Sequence, residues 1–132
     1  MNSHDDVRKR WATPSFWRSV RHAWAGLRAA ARTERNLRIH TGATVGVVLS
    51  AWWLAISPLQ WALLVGIICL VVCAELVNSA IERLVDLVQP EYHPLAGEVK
   101  DIAAAAVVVC AAGAVVVGCL ILGPALIEKI AG

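Results

Sequence analysis

The chain has 132 residues, 58% of them hydrophobic and only 17% charged, against roughly 25% charged residues in ordinary soluble domains. This excludes a soluble or two-domain enzyme and leaves one unit of membrane composition, spanning residues 1–132. The net charge of +2 conceals an asymmetry, since nine of the twelve Lys and Arg residues precede His40; such an excess of cations places the N-terminus in the cytoplasm.

Residues 1–12 are polar and lack periodicity, so a disordered tail is expected there, and no apolar core follows closely enough to make a secretory signal. Thr13 and Pro14 read as an N-cap and first helical residue. Phe16, Trp17, Val20, Ala23, Trp24, Leu27, Ala30 and Ala31 then recur at spacings of three and four, with Arg18, Arg21, His22, Arg28 and Arg32 mainly between them. This predicts an amphipathic helix over 14–32 lying in the membrane interface, its guanidinium groups among anionic headgroups. Trp24, Arg28 and Arg38 are its candidate contacts to lipid.

Three apolar spans are expected after it, at about 36–56, 60–88 and 101–122. Trp52 and Trp53 would mark the far interface, and Ser57, Pro58 and Gln60 a short turn between antiparallel neighbours. Gln89 to Asp101 has two prolines, a glycine and six titrating side chains, which reads as a cytoplasmic loop. Gly123 and Pro124 are expected to end the third span. Cys69, Cys73, Cys110 and Cys119 sit within apolar runs, without metal-ligand spacing, and read as small hydrophobes.

The stretch ELVNSAIERLVD, Glu75 to Asp86, is where chemistry is expected. At 100° per residue, Asn78, Glu82 and Asp86 lie within about 60° of Glu75, so four polar side chains share one stripe of an otherwise apolar helix. At membrane depth such charges are costly and read as functional. Glu34 and Glu82, from different helices, can hold Mg²⁺, which accepts one or two carboxylates and fills its other positions with water and phosphate oxygens. Arg38 and Lys100 can neutralise phosphates, Asn78 and Asp101 add hydrogen bonds, and Glu75, deeper, is a general base within reach of a lipid hydroxyl. These parts fit in-line phosphoryl transfer from a nucleotide to a membrane alcohol. No P-loop or kinase-type Gly-rich loop is present. A small proton- or ion-conducting assembly, with the acidic stripe lining a pore, fits the same stripe; the interfacial Trp/Arg helix favours the enzyme, because a pore needs no surface along which substrate arrives. Nothing in the pattern calls for nucleic acid.

Beyond this, ELVNSAIE, the VD that follows, EYHPLAGEVKDIAAAAV and the upstream GLRAA and Glu34 resemble the signature of the small prokaryotic integral-membrane diacylglycerol kinases and undecaprenol kinases, over roughly residues 14–122. The resemblance implies an all-α integral membrane fold, with an interfacial amphipathic helix plus three transmembrane helices, assembled as a homotrimer in the bacterial inner membrane with active sites on the cytoplasmic side. It implies MgATP-dependent phosphorylation of diacylglycerol or undecaprenol. Glu75 would be the catalytic base and Glu34 and Glu82 the metal ligands. ATP would meet Glu34, Asn78, Glu82, Asp86, Glu91, Tyr92, His93, Lys100 and Asp101. Two positions depart from the diacylglycerol branch: Ser15 stands where an arginine is expected and His22 where an aromatic hydroxyl is, with Arg18 or Arg21 as candidate substitutes for the arginine. ERNLRIH is closer to the undecaprenol branch and EYHPLAG to the diacylglycerol branch.

Overall fold

The computed structural model describes residues 16–132; the expected tail at 1–12, the Thr13–Pro14 helix start and Ser15 lie outside the described residues. Four helices follow one another: α1 (Phe16–Thr33), α2 (Arg35–Trp53), α3 (Pro58–Val88) and α4 (Pro94–Ala131). Among the described residues no strand occurs.

Helix α1 is the amphipathic element that the spacing predicts. Only Ala30 is buried in it, while Phe16, Trp17, Val20 and Trp24 stand exposed, so its aromatic face has no cover among the described residues. Its end is a single extended residue, Glu34 (φ −88°, ψ 114°), which is also the N-cap position of α2. The Thr33 hydroxyl contributes to the stop by bonding back to the Ala29 carbonyl at 3.1 Å, a local bond that competes with helix propagation. Glu34 therefore sits at a corner between two helices.

The corner between α2 and α3 is built differently. Ala55 takes a left-handed conformation (φ 53°), which costs a non-glycine residue roughly 1 kcal/mol. The expected turn at Ser57, Pro58 and Gln60 is a helix start instead: Ser57 accepts from the Gln60 amide at 3.4 Å, the Gln60 side chain accepts from the Ser57 amide at 2.8 Å, and Pro58 fills the first position. This reciprocal capping box satisfies two donors that a helix N-terminus would otherwise leave open.

Helix α4 corrects two expectations. Gln89 to Asp101 is not a loop throughout, because His93 caps a helix through an Nδ1 that accepts from the Leu95 amide at 3.2 Å, with Pro94 in its first turn. Only Gln89 to His93 connects α3 to α4, and Lys100 and Asp101 are helical. At the other end the helix continues through Gly123 and Pro124 to Ala131. Gly123 has no positive φ with which to make a left-handed cap, and one interior proline forfeits one ladder hydrogen bond, a loss that packed apolar helices tolerate.

Packing is closest between α3 and α4. At the α2–α3 corner, Ala51, Ile56, Leu64 and Ile121 form a buried cluster joined by Val47, Leu54, Trp61 and Val117, and Lys129 lies 5.7 Å from the Trp53 ring centre, within cation–π range. Helices α3 and α4 are long and apolar enough to cross a membrane, yet only 28% and 11% of their most apolar windows are buried, which a soluble core would not leave uncovered. With 31 residues, α3 is about 46 Å long and outruns a hydrocarbon core of about 30 Å.

Candidate active site

The site forms where the α1–α2 corner meets the C-terminal half of α3. Three polar residues of that half are buried: Glu75, Asn78 and Ser79, with relative exposures of 2%, 7% and 4%. Each helix also buries apolar residues, Ala30 in α1, Leu37 in α2, Val71 in α3 and Ala103 and Val107 in α4, and Glu75 is as buried as these. A carboxylate taken out of water is destabilising unless it is paired. The partner is His40 of α2, whose Nε2 lies 3.0 Å from Glu75 Oε1; the two are at ion-pair distance but off the axis of an aligned hydrogen bond, and among the described residues that oxygen accepts no hydrogen bond.

One turn towards the C-terminus, Asn78 donates to Glu82 Oε1 at 2.8 Å, while its own Oδ1 is buried without a partner. Ser79 donates to the Glu75 carbonyl at 2.9 Å, which spends its hydroxyl on the backbone. Arg83 reaches across to the α1–α2 corner, its Nη2 donating to Thr33 Oγ1 at 2.6 Å and to Glu34 Oε1 at 3.0 Å. That fork ties the Glu34 corner to the turn of α3 that carries Glu82. Glu34, the open Asn78 Oδ1 and Glu82 are the oxygen groups that this end of the site offers besides the Glu75–His40 pair.

Further along α3, Asp86 pairs with Lys100 of α4, which ties the two helices beside their short connection. The remaining candidates are not drawn in. Glu91 and Tyr92 are exposed, His93 is occupied as a cap, and Asp101 is exposed. Trp24, Arg28 and Arg38 are exposed on α1 and α2. Among the described residues no group of three or more His, Cys, Asp or Glu side chains is placed to hold a metal ion, so any metal there would take its remaining ligands from water and phosphate. The four cysteines are free thiols.

Three participants were not singled out from the sequence. His40 is the last titratable side chain of α2, Arg83 is the lone cation of α3, and Thr33 is the residue before Glu34. Their signal was a charge or polar group at the wrong place for its surroundings; the partner in each case comes from another helix or from a corner.

The family model described as prokaryotic diacylglycerol kinase matches residues 21–122, which takes in part or all of each helix and includes Glu34, Glu75, Asn78 and Glu82. The chain belongs to that family. This kinase is 39% identical over 111 residues to the undecaprenol kinase of Bacillus subtilis, covering 84% of this chain and 90% of that one. It is 37% identical over 113 residues to the diacylglycerol kinase of Escherichia coli K12, covering 83% and 93% respectively. With the diacylglycerol kinase of Synechocystis it shares 46% identity over 115 residues, covering 86% of this chain and 66% of the Synechocystis protein, so the chain spans about two thirds of that relative's length. The protein is a lipid kinase, and the pore reading of the acidic stripe is set aside.

Proposed function

We propose that this kinase transfers the γ-phosphoryl group of ATP to the hydroxyl of a membrane lipid, diacylglycerol or undecaprenol, with Glu75 as general base. The observation that carries the reading is a carboxylate only 2% exposed on the same stripe of α3 as Asn78 and Glu82, which are bonded to each other at 2.8 Å. One group can take a proton where water is excluded while the others hold the donor. Glu75 accepts the proton of the lipid hydroxyl as its oxygen bonds to the γ-phosphorus and the bond to the β-bridging oxygen breaks, releasing ADP. Positioning and charge neutralisation supply most of the catalysis in such a transfer.

The residues present fit Mg²⁺. Glu34 and Glu82 offer two carboxylates and Asn78 Oδ1 is a buried acceptor still open, a donor set of the hard oxygens that this ion prefers. When bound, the ion neutralises the phosphate oxygens as charge builds on them. The side chains then divide the work: Glu34, Asn78 and Glu82 hold the polyphosphate end, Arg83 fixes Glu34, and Asp86, Lys100 and Asp101 with Glu91, Tyr92 and His93 border the nucleotide.

In this reading the site faces the cytoplasm of a bacterial cell, since the cations gather before His40 and on the same side as the polar end of α3. Helix α2 crosses as a third span, because Leu54 to Ser57 passes the chain directly from it into α3. The uncovered apolar flanks of α3 and α4 are met by lipid and by neighbouring copies in a homotrimer. Labelled ATP offered to the purified protein with diacylglycerol and undecaprenol in competition assigns the acceptor, and transfer to neither would overturn the proposed substrate class. Glu75→Gln is expected to lower the rate by at least about 100-fold, the usual contribution of a general base, with ATP binding retained. A variant that keeps most of its activity removes Glu75 from the role.

A further inference from the structure

We propose that His40 is a positioning residue for Glu75, holding one carboxylate oxygen so that the other faces the acceptor hydroxyl; this rests on the reading of Glu75 as the base. The contact joins two helices: His40 Nε2 on α2 lies 3.0 Å from Glu75 Oε1 on α3. Other polar groups near Glu75 are already used. Ser79 is bonded to the Glu75 carbonyl and the Asn78 amide to Glu82, and the amides of α3 are consumed in its own ladder. Among the described residues His40 alone reaches Oε1.

Its placement serves both sides of the reaction. His40 shares a helical stripe with Ala43, Thr44 and Val47, and with them lines a largely apolar groove of about 790 Å³ between α2, α3 and α4. One edge of the imidazole borders that groove while Nε2 turns to Glu75. A carboxylate free to rotate presents either oxygen in many orientations, and an N–H donor on Oε1 removes that freedom and leaves Oε2 for the hydroxyl. The present off-axis geometry is of the kind that tightens when substrate is bound.

The test compares the full-length variants His40→Phe, His40→Gln and Glu75→Gln in mixed micelles, measuring kcat, both KM values and melting temperature. Phe keeps the bulk and loses the donor; Gln keeps an N–H. A carboxylate misplaced by about 1 Å costs on the order of 100-fold in rate, so His40→Phe is expected to lower kcat by roughly 10- to 100-fold with the KM for ATP unchanged within about twofold. His40→Gln is expected to recover most of that loss. If His40→Phe turns over like wild type while Glu75→Gln is inactive, the base assignment stands and the positioning role is overturned. If Phe and Gln lose activity equally and in step with melting temperature, His40 only packs, which also overturns the proposal. An active Glu75→Gln removes the base reading and this inference with it.

Discussion

Glu34 lies at the α1–α2 corner and Glu82 on α3, and what ties that corner to the turn of α3 that carries Glu82 is a third side chain, Arg83. The Arg83–Glu34 pair has side-chain exposures of 50% and 25%, so its worth to stability is under about 1 kcal/mol. Its effect is geometric, because it fixes a carboxylate at a corner where the backbone is extended. Asn78 acts on Glu82 in the same way from within α3. Since Glu82 contributes both charge and a fixed oxygen, Glu82→Ala is expected to raise the Mg²⁺ concentration needed for ATP binding by roughly 10- to 100-fold, the range seen when support around a metal site is lost. Binding of ATP titrated against Mg²⁺ in both proteins checks it, and an unchanged Mg²⁺ dependence would show that Glu82 is no ligand. The stripe of Glu75, Asn78, Glu82 and Asp86 was legible in the sequence because helical spacing alone places it. His40 and Arg83 were not, since each gains its meaning from a partner 35 or 49 residues away, a separation that no local periodicity encodes.

At the scale of elements, the helix boundaries follow from capping chemistry, and where that chemistry went unread the expectation failed. His93 followed by Pro94 carries the same start signal as Ser57 followed by Pro58: an acceptor side chain and then a residue with fixed φ and no N–H. Read by composition, two prolines and a glycine looked like a loop; read by position, Pro94 opens a helix and Gly97 lies within its first turns. Pro124 shows the opposite case, a breaker by propensity that a long apolar helix carries inside it. The Ser57 box lies about five turns of α3 from Glu75, at the other end of the helix. Ser57→Ala is expected to cost about 1 kcal/mol of stability, the usual worth of an N-cap side chain. The effect is read as a lower melting temperature in detergent, with kcat falling by less than the loss seen on changing Glu75 itself. A melting temperature equal to wild type would mean that the corner is held by the Ala51, Ile56, Leu64 and Ile121 cluster and not by its cap.

The whole molecule leaves its aromatic and aliphatic surface outside. Phe16, Trp17 and Trp24 are 72%, 77% and 65% exposed, although burying each would gain about 2 kcal/mol or more, and none of the described residues covers them. On a helix whose Arg18, Arg21 and Arg32 lie to one side of the tryptophans, this arrangement suits the boundary between headgroups and acyl chains, where an indole has both an apolar body and a polar edge. The same helix ends at Glu34, so its depth in the membrane and the position of one edge of the site are mechanically linked. Loosening the anchor should therefore act on the lipid side of the reaction before the nucleotide side. Replacing both Trp17 and Trp24 by alanine is expected to raise the apparent KM for the lipid acceptor several-fold more than that for ATP, since the donor arrives from water and does not depend on the depth of α1. Initial rates with each substrate varied at saturating levels of the other give the two constants. Equal increases in both would mean that α1 is packed as a structural part of the site, and that its exposed tryptophans do not anchor it to the membrane.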